Sequence, residues 1–257
     1  MEEEKLDFGS VSSPVKIGDT VHRQAGPWTA TIHELLRFLN DEGLAFAPRP
    51  LGFDDQGREI LNFLPGNAAT RPWPATLFSD HGLIQAAKML RKYHDVVKNF
   101  QPSEDAHWRI GKMEKLPGQI IRHGDLGPWN TLWQDDELTG IIDWDFAEPG
   151  ERVTDLAQMA YYFVPLRGEK GWQQAGFIEQ PNLRKRLNVL CEAYGSFKVD
   201  DILYAAIEWL KEELCRIQEL GGNNIEPWAS FRRRGDAEEI VLDIDWLKGF
   251  SKSKTNS

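Results

Sequence analysis

Hydrophobic positions alternate in short runs over the first quarter of the chain and recur at helical spacing over most of the rest. In PVKIGDTVHR, Val15 and Ile17, then Val21 and Arg23, flank the Gly18-Asp19 pair, which predicts a hairpin. Ile32, Leu35, Leu36 and Leu39 then mark one helical face, with Thr29 or Thr31 as the expected cap and Gly43 as the expected stop. PRPLGFDDQGREILNFLPG predicts two strands about a DDQG turn, closing on Leu64-Pro65-Gly66 as a hinge. Beyond it, Ser79 or Asp80 opens a helix that carries Leu83, Ala87, Leu90, His94 and Val97 on one stripe, the position of a core histidine. QIIRHGD follows, and NTLWQDDELTGIIDWD reads as a hairpin. Leu183, Leu187, Leu190 and Tyr194 predict a helix over 183–194. Another follows Asp200-Asp201 with Leu203, Ile207, Leu210, Leu214 and Ile217, and Gly221-Gly222 is expected to close it. The tail SKSKTNS is expected to fray. Strands first and helices after indicate an α+β fold, and 257 residues suffice for one large domain or two lobes.

Composition narrows the function more by exclusion than by assignment. A formal charge of −10 argues against nucleic acid as a partner, because phosphate backbones demand a basic face. Arg232-Arg233-Arg234 is too short a run to change this and is expected on a solvated face. An acidic chain suits a cationic small molecule. Two cysteines, Cys191 and Cys215, both on predicted helices, speak against a disulfide framework and for a reducing, cytoplasmic setting. MEEEKLDFGS lacks the apolar segment of a secretory signal, and no apolar run approaches the length of a membrane span.

The chemistry-bearing stretch is RHGDLGPWN, residues 122–130, read together with IIDWD, residues 141–145. Asp and Asn beside Gly and Pro are ordinary turn formers, so RHGDLGPWN alone denotes a turn. Its spacing carries more. Asn130 stands five positions after Asp125, and Asp143 ends a strand-like run after both. That order matches the H-R-D-x-x-x-x-N loop and later metal-binding Asp of protein kinases. Phosphoryl transfer needs alignment and charge neutralisation, and Mg²⁺ prefers hard oxygen donors such as a carboxylate and an amide. A separate carboxylate can accept the proton of an attacking hydroxyl.

HGDLGPWN followed by GIIDWDFAEPGERVTDLAQ resembles the aminoglycoside phosphotransferase family of kinase-like small-molecule enzymes. VHR, HELLRFL, PRPLGF, GREILNFLPG and KMLRKYHD sit where that family has similar blocks. The resemblance implies a two-lobed protein-kinase-like fold: a small nucleotide-binding lobe over residues 1–65, containing a sheet, and a mainly helical lobe over 66–257 bearing the catalytic loop and substrate site. It implies Asp125 as the catalytic base, Asn130 and Asp143 as Mg²⁺ ligands, and His123 and Asp155 as supports of the loop. Asn62, Phe63 and Leu64 would offer backbone groups to the purine of ATP or GTP, and Arg23 would contact phosphate. Asp145 is left open between a metal contact and a substrate contact.

The departures from the protein-kinase pattern shape the expected function. Gly124 replaces the Arg of H-R-D, and no A-P-E follows, so a small hydroxylated acceptor is expected rather than a protein. GSVSSP, residues 9–14, holds the place of the phosphate-covering loop with a single glycine. His33 stands where the helix partner of the strand cation is usually Glu, with Glu34 one step off that face. These features keep a second reading in view, a catalytically weak or inactive kinase-like protein that binds a nucleotide or small molecule. A metallohydrolase is the competing enzyme class, disfavoured because no second His lies near His123.

Overall fold

A computed structural model describes residues 3–6, 14–71 and 73–253 of the chain. Most of GSVSSP and residues 254–257 of the tail therefore lie outside the described residues.

The chain begins as an antiparallel sheet in the order β1-β2-β3-β5-β4. Its strands are β1 (Glu4–Lys5), β2 (Val15–Ile17), β3 (Thr20–Gln24), β4 (Pro50–Phe53) and β5 (Arg58–Asn62). β2 and β3 form the expected hairpin about Gly18-Asp19, whose Gly18 takes a left-handed φ of 59°. α1 (Thr29–Asp41) sits between β3 and β4 and buries Ile32, Leu35, Leu36 and Leu39, the four residues its spacing predicted. Each such leucine contributes roughly 2 kcal/mol by leaving water. Neither threonine caps this helix. Trp28 holds the N-cap position, the Thr29 hydroxyl turns back to accept from the Gly26 N–H at 2.9 Å, and the Thr31 hydroxyl accepts from the His107 N–H at 2.8 Å. The end is as expected: Gly43, at φ 81°, donates to the Asn40 carbonyl.

After Pro65-Gly66 the chain enters a second sheet. β6 (Asn67–Ala68) pairs with β8 (Thr131–Gln134), which pairs with β9 (Glu137–Ile141) as a hairpin. α2 (Asp80–Val97) intervenes, with the Ser79 hydroxyl accepting from the Gly82 N–H at its start. β7 (Ile120–Arg122) and β10 (Glu148–Gly150) form a separate antiparallel pair. The rest is helical: α3 (Arg152–Phe163), α4 (Gly168–Ala175), α5 (Leu183–Tyr194), α6 (Val199–Gly222), α7 (Trp228–Arg234) and α8 (Asp236–Lys252). α5 matches its expected bounds. α6 runs through Gly221 and Gly222 to a cap at Asn223. Gly221 is there for proximity rather than termination, since a Cβ would lie 2.6 Å from the Trp228 carbonyl oxygen.

One core joins the stripes of α1, α2, α3, α5 and α6 beneath the strands. His94 is wholly buried in it, with Nδ1 2.7 Å from the Tyr194 hydroxyl and Nε2 3.1 Å from Asp155 Oδ2. Burial lowers its pKa, which suits a satisfied core histidine. Cys191 and Cys215 are both free, and Arg232, Arg233 and Arg234 are exposed. Among the described residues no helix is long and apolar enough to cross a membrane.

Candidate active site

The loop from His123 to Asn130 leaves the end of β7 and is held from below by α3. Asp155, fully buried in the first turn of α3, accepts the His123 N–H at 2.8 Å and the Gly124 N–H at 3.2 Å. Burial opposes ionisation of this carboxyl, but the His94 contact and the backbone donors outweigh it and hold the pKa below the usual value. One turn on, Gln158 accepts the Leu126 N–H at 2.9 Å and donates to the Gly124 carbonyl at 2.9 Å. His123 is itself buried, neutral through desolvation, with Nε2 3.1 Å from the Ile142 carbonyl and its ring edge-on to Trp144 at 4.6 Å.

Gly124 occupies the position of the kinase arginine for a steric reason. Its φ is 79°, and a Cβ would lie 2.0 Å from the Phe146 carbonyl oxygen. The backbone that follows the Asp143-Trp144-Asp145 run packs directly on this residue, so no larger side chain fits.

Asp125 and Asn130 meet across the loop. The Asn130 amide donates to the Asp125 carbonyl at 2.7 Å and to Asp125 Oδ2 at 2.8 Å. Both amide hydrogens are thereby directed away from the cleft that Asn130 lines, and the amide oxygen remains. Desolvation first, and the Asp143 carboxylate second, push the Asp125 pKa up to about 7.

Asp143 follows the end of β9, where the Ile142 N–H bonds to the Asn130 carbonyl at 2.9 Å. Its φ of 60° is left-handed, a conformation that a non-glycine residue holds only under constraint. Trp144 supplies part of that constraint, being buried with its Nε1 bonded to the Ile141 carbonyl at 3.0 Å. Asp143 and Asn130 line one cleft of about 280 Å³, with Val21, Leu61, Leu132 and Ile142 as apolar walls.

Arg23 reaches this cleft from β3. It donates to Glu59 at 2.5 Å, to Asp143 Oδ1 at 2.8 Å and to Asp145 Oδ1 at 2.6 Å. Burial opposes its charge, yet the three carboxylates hold its pKa above the ordinary arginine value. Its acidic partner is thus not on α1. Glu59 lies directly opposite Arg23 in the β3–β5 register, and its other oxygen is 2.9 Å from His33 Nε2. Sequence reasoning missed Glu59 because strand pairing, not motif spacing, brings it there. The signal was present: an acidic residue inside a predicted strand, followed directly by Ile60 and Leu61.

A second guanidinium, Arg109, approaches from the segment between α2 and β7. It donates to Asp145 Oδ2 at 3.3 Å and lies over the rings of Trp28 and Phe146 at 4.3 and 4.6 Å. Nothing in the sequence singled it out. At the other end of the cleft, Asn62 and Phe63 have their N–H groups engaged within the sheet, by Arg49 and Asp19 carbonyls. Among the described residues, the Leu64 N–H and carbonyl have no protein partner. Of the flanking tryptophans, Trp133 and Trp144 are buried packing residues, while Trp129 is half-buried edge-on to Tyr162.

Among the described residues no cluster of three or more His, Cys, Asp or Glu side chains could hold a metal alone. A carboxylate and an amide oxygen on one cleft wall fit a different pattern, that of Mg²⁺, which takes one or two protein oxygens and completes its shell with phosphates and water.

Comparison with known proteins agrees with this geometry. Residues 105–186 match the family model described as APH, phosphotransferase enzyme family. Over 195 residues the chain is 32% identical to the trifolitoxin immunity protein of Rhizobium leguminosarum bv. trifolii, spanning 74% of this chain and 73% of that protein. It is 29% identical over 123 residues to the viomycin phosphotransferase of Streptomyces vinaceus, across 44% of this chain and 40% of that one. In fold it is similar to the aminoglycoside 2'-phosphotransferase-IIIa whose GDP complex is known, with a TM-score of 0.60 at 14% identity over 97% of this chain and 93% of that one. A choline/ethanolamine kinase family protein from Mesorhizobium loti superposes with a TM-score of 0.56 at 14% identity, over 97% and 93% of the two chains. The fold is the two-lobed, protein-kinase-like one, and the chain belongs to the phosphotransferase enzyme family, the small-molecule kinases that include the aminoglycoside phosphotransferases.

Proposed function

We propose that the protein transfers the γ-phosphoryl group of ATP or GTP, with Mg²⁺, to a hydroxyl of a small molecule of the aminoglycoside or amine-alcohol class. The observation that carries this reading is the meeting of Asp125 and Asn130 at 2.8 Å beside a cleft that Asn130 and Asp143 both line. Bound there, Mg²⁺ would neutralise charge on the phosphates. Asn130 and Asp143 would hold it, and Arg23, oriented by Glu59 and 2.8 Å from Asp143, would contact the phosphates beside it. The purine would lie toward Leu64, whose backbone groups have no partner among the described residues, with Asn62 and Phe63 shaping that end.

Asp125 orients the acceptor hydroxyl and takes its proton as the oxygen attacks phosphorus. A pKa near 7 suits that task, because a base must hold the proton while the new ester bond forms. A base so placed also favours an active enzyme over a binding protein of the same fold. His123 and Asp155 act through the loop by fixing its backbone. The small lobe comprises residues 1–65 and the helical lobe 66–257, a boundary supported by β5 ending in the first sheet and β6 opening in the second. The setting is the cytoplasm, without nucleic acid or membrane as partner.

A panel of aminoglycosides, choline-like amino alcohols and other hydroxylated metabolites, assayed for ADP or GDP release with product phosphorus identified by ³¹P NMR, tests the reading. Stoichiometric phosphate ester on one acceptor, abolished in Asp125→Asn, is expected. Release of nucleoside diphosphate without Mg²⁺, or phosphate appearing only in water, would contradict it.

A further inference from the structure

Arg109 lies outside every motif of the family resemblance, yet it is the second cation of the site. Its segment is pinned under α1 by the bond from the His107 N–H to Thr31, and by Trp108, which is fully buried. The guanidinium is sandwiched between Trp28, which precedes α1, and Phe146, which follows Asp145. Its Nε is buried with no hydrogen-bond partner among the described residues, so stacking and the Asp145 carboxylate hold it in place.

The two oxygens of Asp145 are both engaged by guanidiniums. Oδ1 takes Arg23 at 2.6 Å, and Oδ2 takes Arg109 at 3.3 Å. Arginine does not deprotonate to make room for another cation. A divalent ion at the ~2.1 Å expected for Mg²⁺–oxygen contact would sit beside two fixed positive charges. Asp143 differs, because among the described residues only its Oδ1 is engaged, by Arg23 at 2.8 Å.

We propose that Arg109 is a positioning residue of the transfer site: together with Arg23 it occupies Asp145, withdraws that carboxylate from the divalent ion, and leaves Asp143 and Asn130 as the ion's protein ligands. The inference rests on the phosphoryl-transfer reading and assigns Asp145 to the two arginines rather than to metal or substrate.

The test is Mn²⁺ binding, read as loss of the free-ion EPR signal, with the wild-type chain and a non-hydrolysable ATP or GTP analogue. Asp145→Asn is expected to change the half-saturating Mn²⁺ concentration by less than about threefold, whereas Asp143→Asn raises it about tenfold or more. Arg109→Met frees Asp145 to join the ion, so half-saturation falls severalfold while kcat drops about tenfold with little change in KM for nucleotide. Arg109→Lys, which keeps the charge, restores the wild-type metal affinity. Weakening by Asp145→Asn equal to that by Asp143→Asn would overturn the proposal, as would wild-type metal affinity and kcat in Arg109→Met. Should Arg109→Met fail to fold, the near-isosteric Asp145→Asn decides alone. A wild-type chain that takes up no Mn²⁺ with nucleotide would instead sink the phosphoryl-transfer reading, and this one with it.

Discussion

Replacing Asp125 by Asn is expected to stabilise the metal-free protein at neutral and alkaline pH while abolishing its activity. In the folded chain this carboxyl is pushed from an ordinary 3.8 to about 7, first by desolvation and then by Asp143. As pH rises from about 4 to about 7 the unfolded chain releases the proton and the folded chain retains it, so folding stability falls through that window and levels off above it. A rise of that size corresponds to at most about 4 kcal/mol. Because Asp125 is half-buried rather than sealed, solvent screening reduces this to about 1–3 kcal/mol. An asparagine keeps an oxygen to accept from the Asn130 amide and carries no charge to be penalised. The assay is chemical denaturation in EDTA, with both proteins compared from pH 4 to 9. Titrating groups distant from Asp125 are common to the two chains and cancel in the difference. The variant should gain about 1–3 kcal/mol above pH 7, or roughly 2–10 °C in Tm, and match the wild type near pH 4. A variant that is equal or less stable at pH 8, or a gain independent of pH, would refute the reasoning.

Three further outcomes follow from the same geometry. Gly124→Ala places a Cβ 2.0 Å from the Phe146 carbonyl oxygen at a left-handed φ, so it should destabilise the fold by several kcal/mol, visible as a Tm fall of more than about 5 °C. Glu59→Gln weakens the buried anchor of Arg23 and should raise KM for nucleotide about tenfold, with secondary structure unchanged by circular dichroism. Asp155→Asn replaces one of the two accepting oxygens by an NH2, so a donor faces either the Gly124 N–H or the His123 N–H, which should cost about 2–4 kcal/mol by urea denaturation.

The legible parts of the fold were those written in local periodicity. The α1 stripe, the β2–β3 hairpin and the bounds of α5 follow from spacing alone, because each buries one face against a common core. Caps and glycines were less legible, since their roles depend on what packs nearby. Thr31 serves a distant loop, and Gly221 makes room for Trp228 rather than ending a helix. The same division runs through the site. Asp125, Asn130 and Asp143 carry a fixed spacing on one loop and its following hairpin. Glu59 and Arg109 arrive by strand register and by a docked segment, which no spacing encodes. Gln158 lies between: one helical turn beyond Asp155, it was within reach of a periodicity argument for α3.

Titration calorimetry of ATP and GTP, with and without Mg²⁺, against the wild type, Asp125→Asn and Asp143→Ala tests the central claim most directly. The wild type and Asp125→Asn should bind nucleotide with the same strong Mg²⁺ dependence, and Asp143→Ala should lose that dependence. Undiminished Mg²⁺ dependence in Asp143→Ala would contradict the account.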